Sequence, residues 1–218
     1  MSDYNNDLKK TVDKRTRKFL DDEYKNIFKM HNLGILNIRP VEITEMDNKT
    51  PKQYEGIDLY IKYLDKNNQT ICLTAEEKIR WIKDIYSNDP YIDLEIHHDI
   101  RNQREGYMKD IKSDIIIFVL MKDDKLELLK SDSVYIYKTS ELKKWYQNLK
   151  CEGNLTALLT DLSKYLGRSS NVRYIDNLNH SFELWINKPT YINGKIRNIS
   201  SYIRIPPDYE GWKAFKFF

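Results

Sequence analysis

Two short acidic segments carry the residue types that phosphodiester chemistry requires. Asp58 follows a glycine in the segment Glu-Gly-Ile-Asp-Leu (55–59), and Glu76, Glu77 and Lys78 follow one another in the chain. Hydrolysis of a phosphodiester needs charge neutralisation at the phosphate and an activated water. Carboxylates provide both by holding Mg²⁺, and a nearby ammonium group assists. Asp58, Glu76 and Lys78 are therefore candidate catalytic residues if the fold brings them together.

A β-hairpin would bring them together. Apolar residues alternate over 57–63 and again over 71–73, and a polar stretch, 65–69, separates the two runs. This pattern predicts two strands joined by a tight turn. Asp58 interrupts the first apolar strand, where a buried charge needs a partner or a metal ion.

The end of the second strand carries the other candidates. Because successive side chains of a strand point to opposite faces, Glu76 and Lys78 are expected on one face and Glu77 on the other. Pairing across the turn can place Asp58 beside the first two. A different interpretation is a solvated strand end whose charges discourage edge pairing.

Hydrophobic periodicity predicts the remaining elements. Expected helices cover residues 11–30, 101–112, 140–149 with Ser140 as the cap, and 155–166. Expected strands cover residues 35–43, 114–121, 133–137, 182–186 and 201–205. Pro40 marks the strand 35–43 as an edge or bulged strand, and the apolar run 114–121 predicts a central strand covered on both faces.

This order of elements, with an Asp on one strand and Glu-x-Lys on the next, resembles the PD-(D/E)XK nuclease superfamily over residues from about 15 to about 125. The resemblance implies an α/β fold with a restriction-endonuclease-like core, in which helices flank a central mixed β-sheet. We expect this core over residues 11–150 and a C-terminal α+β extension packed on it over residues 151–218. Gly56 and Ile57 stand where many members have a proline.

The resemblance also implies a function. Asp58 and Glu76 would hold Mg²⁺ or Mn²⁺, and Lys78 would position the attacking water of a DNA hydrolase, with an endonuclease as the expected kind. A carboxylate from the first helix often joins the metal site in this superfamily, which nominates Glu23, with Asp22 as the alternative. RNA stays an alternative substrate, because nothing in the sequence reads the 2′-hydroxyl.

Four residues are secondary candidates. The doubled acid leaves Glu77 as an alternative to Glu76. Glu95 belongs to a segment, Asp-Leu-Glu-Ile, that looks like a pattern in phage and bacterial members of the superfamily. Gln103 and Tyr107 fit the Gln-x-x-x-Tyr motif of its helicase-associated exonucleases.

Attraction to nucleic acid must come from local clusters, because 36 basic and 33 acidic residues leave a net charge of only +3. Two clusters on expected helices could bind phosphate backbones or could be ordinary solvated faces. Their nominated residues are Lys14, Arg15, Arg17 and Lys18 in the first, and Arg101, Arg104 and Lys109 in the second.

Other features narrow the class of protein. The two cysteines, Cys72 and Cys151, lack the spacing of a zinc ribbon or a disulfide framework. No apolar run is long enough to cross a bilayer, so we expect a cytoplasmic protein without a membrane partner. Duplex-cutting members of the superfamily suggest a homodimer. The competing hypothesis is a catalytically inactive nucleic-acid- or protein-binding module on the same fold.

Overall fold

The chain is a mixed α/β protein. The computed structural model describes residues 13–41, 56–82, 92–100, 102, 104–122, 125–151, 170–175, 181–186, 191–192, 195–196, 199–205 and 213. None of the described helices combines the length and the apolarity needed to cross a membrane.

Strands outnumber helices in the described residues. The helices are α1 (Lys14–Met30), α2 (Tyr107–Asp110) and α3 (Thr139–Cys151) in the described ranges. The strands of the N-terminal half are β1 (Gly34–Pro40), β2 (Leu59–Leu64), β3 (Thr70–Ile82), β4 (Ile92–Asp99), β5 (Arg104–Glu105) and β6 (Ile115–Lys122). They are followed by β7 (Val134–Lys138), β8 (Ser170–Ile175), β9 (Ser181–Ile186), β10 (Tyr191–Ile192), β11 (Lys195–Ile196) and β12 (Ser201–Ile205).

The chain forms two compact units that interleave in sequence. The first unit consists of residues 1–88, 112–139 and 213–218, and the second of residues 89–111 and 140–212. The boundary expected at residue 151 stays a prediction about domains. The compact units divide the chain differently, because residues 89–111 group with C-terminal residues.

A five-stranded mixed sheet organises the described part of the first unit, in the order β1-β2-β3-β6-β7. The strands β1, β2 and β3 form an antiparallel meander, β6 runs parallel to β3, and β7 is antiparallel to β6. Every residue of β6 except Lys122 is buried. The expected mixed sheet and its central apolar strand are therefore confirmed.

The first helix covers one face of this sheet. The Asp13 side chain accepts hydrogen bonds from the amides of Arg15 and Thr16, at 2.9 and 3.2 Å, and so caps α1. Further along the helix, Leu20, Tyr24 and Phe28 lie one turn apart and are fully buried. They pack in one apolar cluster with strand residues of odd number, among them those at 59, 61, 75, 115 and 117. The expected amphipathic helix is confirmed.

Local chemistry fixes the ends of the meander. The Asp65 side chain accepts hydrogen bonds from the amides of Asn67 and Gln69, both at 2.8 Å, and Asn68 takes a left-handed conformation with φ 60°. These interactions close the tight turn between β2 and β3. At the other end, β1 lies at the edge of the sheet with Pro40 as its last residue, in agreement with the sequence-based expectation.

The second unit has a sheet of its own, which in the described residues has the order β5-β4-β12-β9-β8. Phe182, Leu184 and Ile186 alternate as buried residues along β9. The Arg204 guanidinium lies 4.2 Å from the centre of the Trp185 ring and is paired with Asp93 at 2.8 Å. The strands predicted over 182–186 and 201–205 are thus confirmed.

The helix predicted over 101–112 is wrong in extent. Among the described residues of this range, only the single turn α2 is helical, because Arg104 and Glu105 pair with β4 instead. Ser140 does not cap α3 either, since that helix begins at Thr139. The helix predicted over 155–166 lies outside the described residues.

A close backbone approach explains why a glycine precedes α2. A Cβ atom on Gly106 would lie 2.5 Å from the carbonyl oxygen of Glu95, whereas a Cβ atom on Gly34 would meet nothing within 4 Å. Backbone atoms cannot yield as a flexible side chain does. The short β5–α2 connection therefore depends on the absence of a side chain at this position.

We expect Gly106→Ala to lower the free energy of unfolding by about 1–3 kcal/mol, as overpacking does elsewhere. The matched variant Gly34→Ala should leave it within about 0.5 kcal/mol of the wild type or raise it slightly. Urea denaturation monitored by circular dichroism measures the free energy of unfolding of both variants. Equal stability of the two variants would contradict the steric argument.

Candidate functional site

Backbone hydrogen bonds hold Asp58 beside the second strand of the hairpin. Its amide donates to the Ala75 carbonyl at 2.8 Å, and its carbonyl accepts from the amide of Val41 at 2.7 Å. The buried Gly56, with φ 67°, turns the chain just before it. The Asp58 carboxylate accepts a hydrogen bond from the backbone amide of Glu77 at 2.9 Å. Both the backbone and the side chain of Asp58 are therefore held in place directly before β2.

Glu76 and Lys78 share a face of β3, as the alternation of strand side chains requires. The Glu76 side chain is only 5% exposed and forms an ion pair with the amine of Lys78, which is 42% exposed. The acid is thus enclosed, whereas the amine reaches solvent. The expected convergence of Asp58, Glu76 and Lys78 is observed in the geometry.

Burial and the neighbouring Glu76 both affect the Asp58 carboxyl. Burial, followed by the charge of Glu76, raises the pKa of the Asp58 carboxyl from about 3.8 to about 6. The Glu77 amide and Lys78 act in the opposite direction, and a hydrogen bond between the two carboxyl groups favours the protonated form. Lys78 alone therefore does not compensate the negative charge that both carboxylates carry when ionised. A further cation beside them would be stabilised.

Glu77 points to the opposite face, where α1 neutralises it. The Arg17 guanidinium donates to both carboxylate oxygens of Glu77, at 2.9 and 2.7 Å, and also to Asp21 at 2.9 Å. The Tyr24 hydroxyl donates to the same carboxylate at 2.5 Å. Burial and the charge of Glu77 raise the pKa of Tyr24, so this hydroxyl keeps its proton. Glu77 is a structural anion tied to the helix and does not join the acid pair.

Sequence reasoning missed this network because Arg17 and Glu77 lie 60 residues apart in the chain. A partial signal was present. Arg17, Asp21 and Tyr24 lie on one side of α1 at intervals of four and three residues. That spacing indicates a polar stripe on a helix, but it does not identify the strand residue that the stripe contacts.

The helix carboxylate expected from the resemblance does not reach the acid pair. α1 packs on the face that carries Glu77, whereas Glu76 and Lys78 occupy the other face of the same strand. The nomination of Glu23 as a metal ligand is corrected on this ground. Its alternative, Asp22, lies 3.4 Å from Lys25 on the exposed side of the helix.

The other secondary candidates lie elsewhere. Glu95 and Tyr107 belong to the second compact unit, where the Glu95 carboxylate lies 3.4 Å from a ring nitrogen of His98. Gln103 lies outside the described residues. In the part of the chain that the structure describes, no group of three or more His, Cys, Asp and Glu side chains is arranged to hold a metal ion. Any cation at the acid pair would therefore complete its coordination with water or substrate oxygens.

Some of the basic residues nominated for phosphate binding are paired with acidic side chains, and others are exposed. Arg17 is committed to Glu77 and Asp21, so its nomination for phosphate binding is corrected, and Lys109 is paired with Glu105 at 2.5 Å. Arg101 lies outside the described residues. The exposed members are Lys14, Arg15, Lys18 and Arg104. A depression of about 400 Å³ on α1 mixes both charges, its lining being Lys14, Arg17, Lys18, Asp21, Asp22 and Lys25.

Comparisons with protein-family models, curated proteins and solved structures find no match to this chain.

The shifted pKa of Asp58 predicts a pH-dependent stability. In the folded protein this carboxyl binds a proton more tightly than in the unfolded chain, so its contribution destabilises the fold as pH rises from about 4 to about 6. In EDTA at pH 8, Asp58→Asn should raise the free energy of unfolding by about 1–3 kcal/mol, and the gain should shrink at pH 5. Thermal melts with the exposed-site variant Asp132→Asn as control measure this. A loss of stability at pH 8, or a gain of equal size at pH 8 and pH 5, would contradict it.

The Arg17–Glu77 pair yields a separate prediction. Arg17→Leu leaves the Glu77 carboxylate buried without its cation and should cost about 3 kcal/mol of stability. The neighbouring exposed variant Lys18→Leu should cost less than about 0.5 kcal/mol. Urea denaturation compares them, and the double variant Arg17→Leu/Glu77→Leu should recover part of the loss. If both single variants were equally stable, the structural role of this pair would be refuted.

Proposed function

We propose that the chain is a metal-dependent DNA nuclease that hydrolyses phosphodiester bonds. The observation that carries this proposal is the convergence of Asp58, Glu76 and Lys78 at the end of the β2–β3 hairpin. There, burial and then the charge of Glu76 raise the pKa of the Asp58 carboxyl to about 6, and Lys78 forms an ion pair with Glu76. A site with excess negative charge beside a solvent-reaching amine fits a divalent cation and a phosphate.

The donor set fits Mg²⁺ or Mn²⁺. These cations prefer oxygen ligands and are commonly bound by one or two carboxylates, with water and substrate phosphate in the remaining positions. Asp58 and Glu76 would be the protein ligands. When bound there, the cation would supply positive charge at the phosphate and make a water molecule more acidic.

The protein's own groups have distinct roles in this proposal. The Glu77 amide holds the Asp58 carboxylate through a 2.9 Å hydrogen bond, so that this carboxylate is oriented before substrate binds. Lys78, which is 42% exposed, can place its amine at the scissile phosphate or the attacking water.

The order of elements in the first unit supports placement in the PD-(D/E)XK superfamily. A helix, a three-strand meander and a further strand follow one another, and the acid and the Glu-x-Lys segment occupy adjacent strands. One feature departs from the expected core. The connection from β3 to β6 contains β4, β5 and the single-turn α2, where a longer helix was expected.

The alternative function is a catalytically inactive nucleic-acid- or protein-binding module. One observation favours it, namely that Lys78 already neutralises Glu76 within the protein. Calorimetry separates the two hypotheses, because the nuclease must bind Mn²⁺ and lose this affinity in Asp58→Asn. A protein that binds DNA in a salt-dependent manner without binding Mn²⁺ would be the module.

Purified protein with Mn²⁺ should cleave at least one of linear, nicked, branched or single-stranded DNA. Asp58→Asn, Glu76→Gln and Lys78→Ala should each lower the cleavage rate by a factor of about 100 or more, as expected for groups that stabilise charge in the transition state. Lys25→Ala and Asp132→Asn, which alter exposed residues, should retain it. Cleavage that survives Asp58→Asn and Lys78→Ala alike would refute the assignment.

A further inference from the structure

The face of the first sheet that carries the acid pair also carries exposed basic side chains. Residues directly opposite each other in antiparallel strands share a face, and the observed pairs include Arg39 with Tyr60 and Lys62 with Cys72. Even-numbered residues of β2 and β3 therefore lie together. We call the set Arg39, Lys62, Lys78 and Arg80 the basic face.

Two members of the basic face are spaced symmetrically about the acids along the hairpin. Lys62 follows Asp58 by four residues and Arg80 follows Glu76 by four residues. Because β2 and β3 run in opposite directions, the two cations lie on opposite sides of the acid pair. At about 3.3 Å per residue, each lies about 13 Å from its acid, and the two span about 26 Å.

The basic side chains of this face are more exposed to solvent than the acid Glu76. Arg39, Lys62 and Arg80 are exposed, whereas Glu76 is buried. The Arg39 guanidinium lies 5.2 Å from the centre of the Tyr60 ring, which restricts it to this face. A long polyanion would thus meet positive charge on both sides of the acids.

The basic cluster of α1 lies on the other side of the sheet. The buried residues of α1 pack against odd-numbered strand residues, and Arg17 contacts Glu77, which points away from the acid pair. Lys14, Arg15 and Lys18 therefore extend from a helix that the sheet separates from Asp58 and Glu76. A phosphate held by them could not be the one that is cleaved.

We propose that the basic face is the docking surface for duplex DNA, whose backbone runs along the hairpin with phosphates held on both sides of the acid pair. This inference rests on the proposed function and adds to it the binding surface and the direction of the substrate. With 3.4 Å of helix axis per base pair, a span of about 26 Å corresponds to roughly eight base pairs. Charge complementarity and continuity with the acid pair are the grounds for DNA as the occupant.

Two variants of the full chain with equal change in net charge test the surface. One is Arg39→Ala/Lys62→Ala/Arg80→Ala, and its matched control is Lys14→Ala/Arg15→Ala/Lys18→Ala. The ligand is a DNA duplex of about 20 base pairs, which is longer than the span of the basic face. Fluorescence anisotropy in EDTA at several salt concentrations measures its binding. EDTA prevents cleavage and makes the measurement independent of metal.

The basic-face variant should bind at least tenfold more weakly, and the slope of log K against log salt should fall by about 2–3, as three lost phosphate contacts imply. The α1 variant should stay within about twofold of the wild type. Equal losses in both variants, or a larger loss in the α1 variant, would overturn the proposal. An RNA duplex that binds more tightly than the DNA would overturn the choice of DNA.

A second pair of variants keeps the proposal testable if the triple variant does not fold. Lys62→Glu and Lys18→Glu each change one exposed residue, and circular dichroism and melting temperature verify their folds. Lys62→Glu alone should weaken DNA binding. The surface and the activity can also fail separately. If the basic-face variant binds DNA more weakly than the α1 variant but the wild type does not cleave DNA in Mn²⁺, only the proposed nuclease activity is refuted. If the wild type cleaves DNA but the two variants bind it equally, only the proposed docking surface is refuted.

Discussion

The first unit is organised around the electrostatic cost of placing Asp58 next to Glu76. Burial of the Asp58 carboxyl, and after it repulsion by the charge of Glu76, raises the pKa of Asp58. Two contacts within the protein offset this cost. The Glu77 backbone amide donates a hydrogen bond to Asp58, and the Lys78 amine forms an ion pair with Glu76. Replacing Asp58 by a neutral residue of similar shape would relieve this cost, and a cost of this kind is common at sites kept for binding or catalysis.

The two faces of β3 carry different kinds of interaction. Glu77 anchors α1 through Arg17 and Tyr24, whereas its neighbours on each side form the acid and amine of the candidate site. Its backbone amide nevertheless holds Asp58, so the anchored residue also supports the face that carries the candidate site. The helix thus positions the site without contributing a ligand to it.

The sequence was informative where local pattern decides structure. Alternation predicted the hairpin and the side-chain faces, and helical periodicity predicted α1, because both depend on neighbours within a few residues. The predicted helix over 101–112 failed because the pairing of Arg104 and Glu105 with β4 overrides local preference. The resemblance nominated Glu23 by its presence on the first helix, but which face of the sheet a helix covers is a tertiary property. The basic face was missed because it joins residues from three strands, although the spacing of four from each acid was available.

The parallel pairing of β3 with β6 has a consequence for the way the protein acquires its structure during synthesis. The meander β1–β3 is complete once Ile82 has been made, but its partner strand begins only at Ile115, after residues that belong to the other unit. Glu76 pairs with Ile116 of that later strand. On a nascent chain, the backbone of β3 around Glu76 therefore cannot gain its parallel partner until translation has passed β6, and the mixed sheet is completed only after part of the other unit has been made.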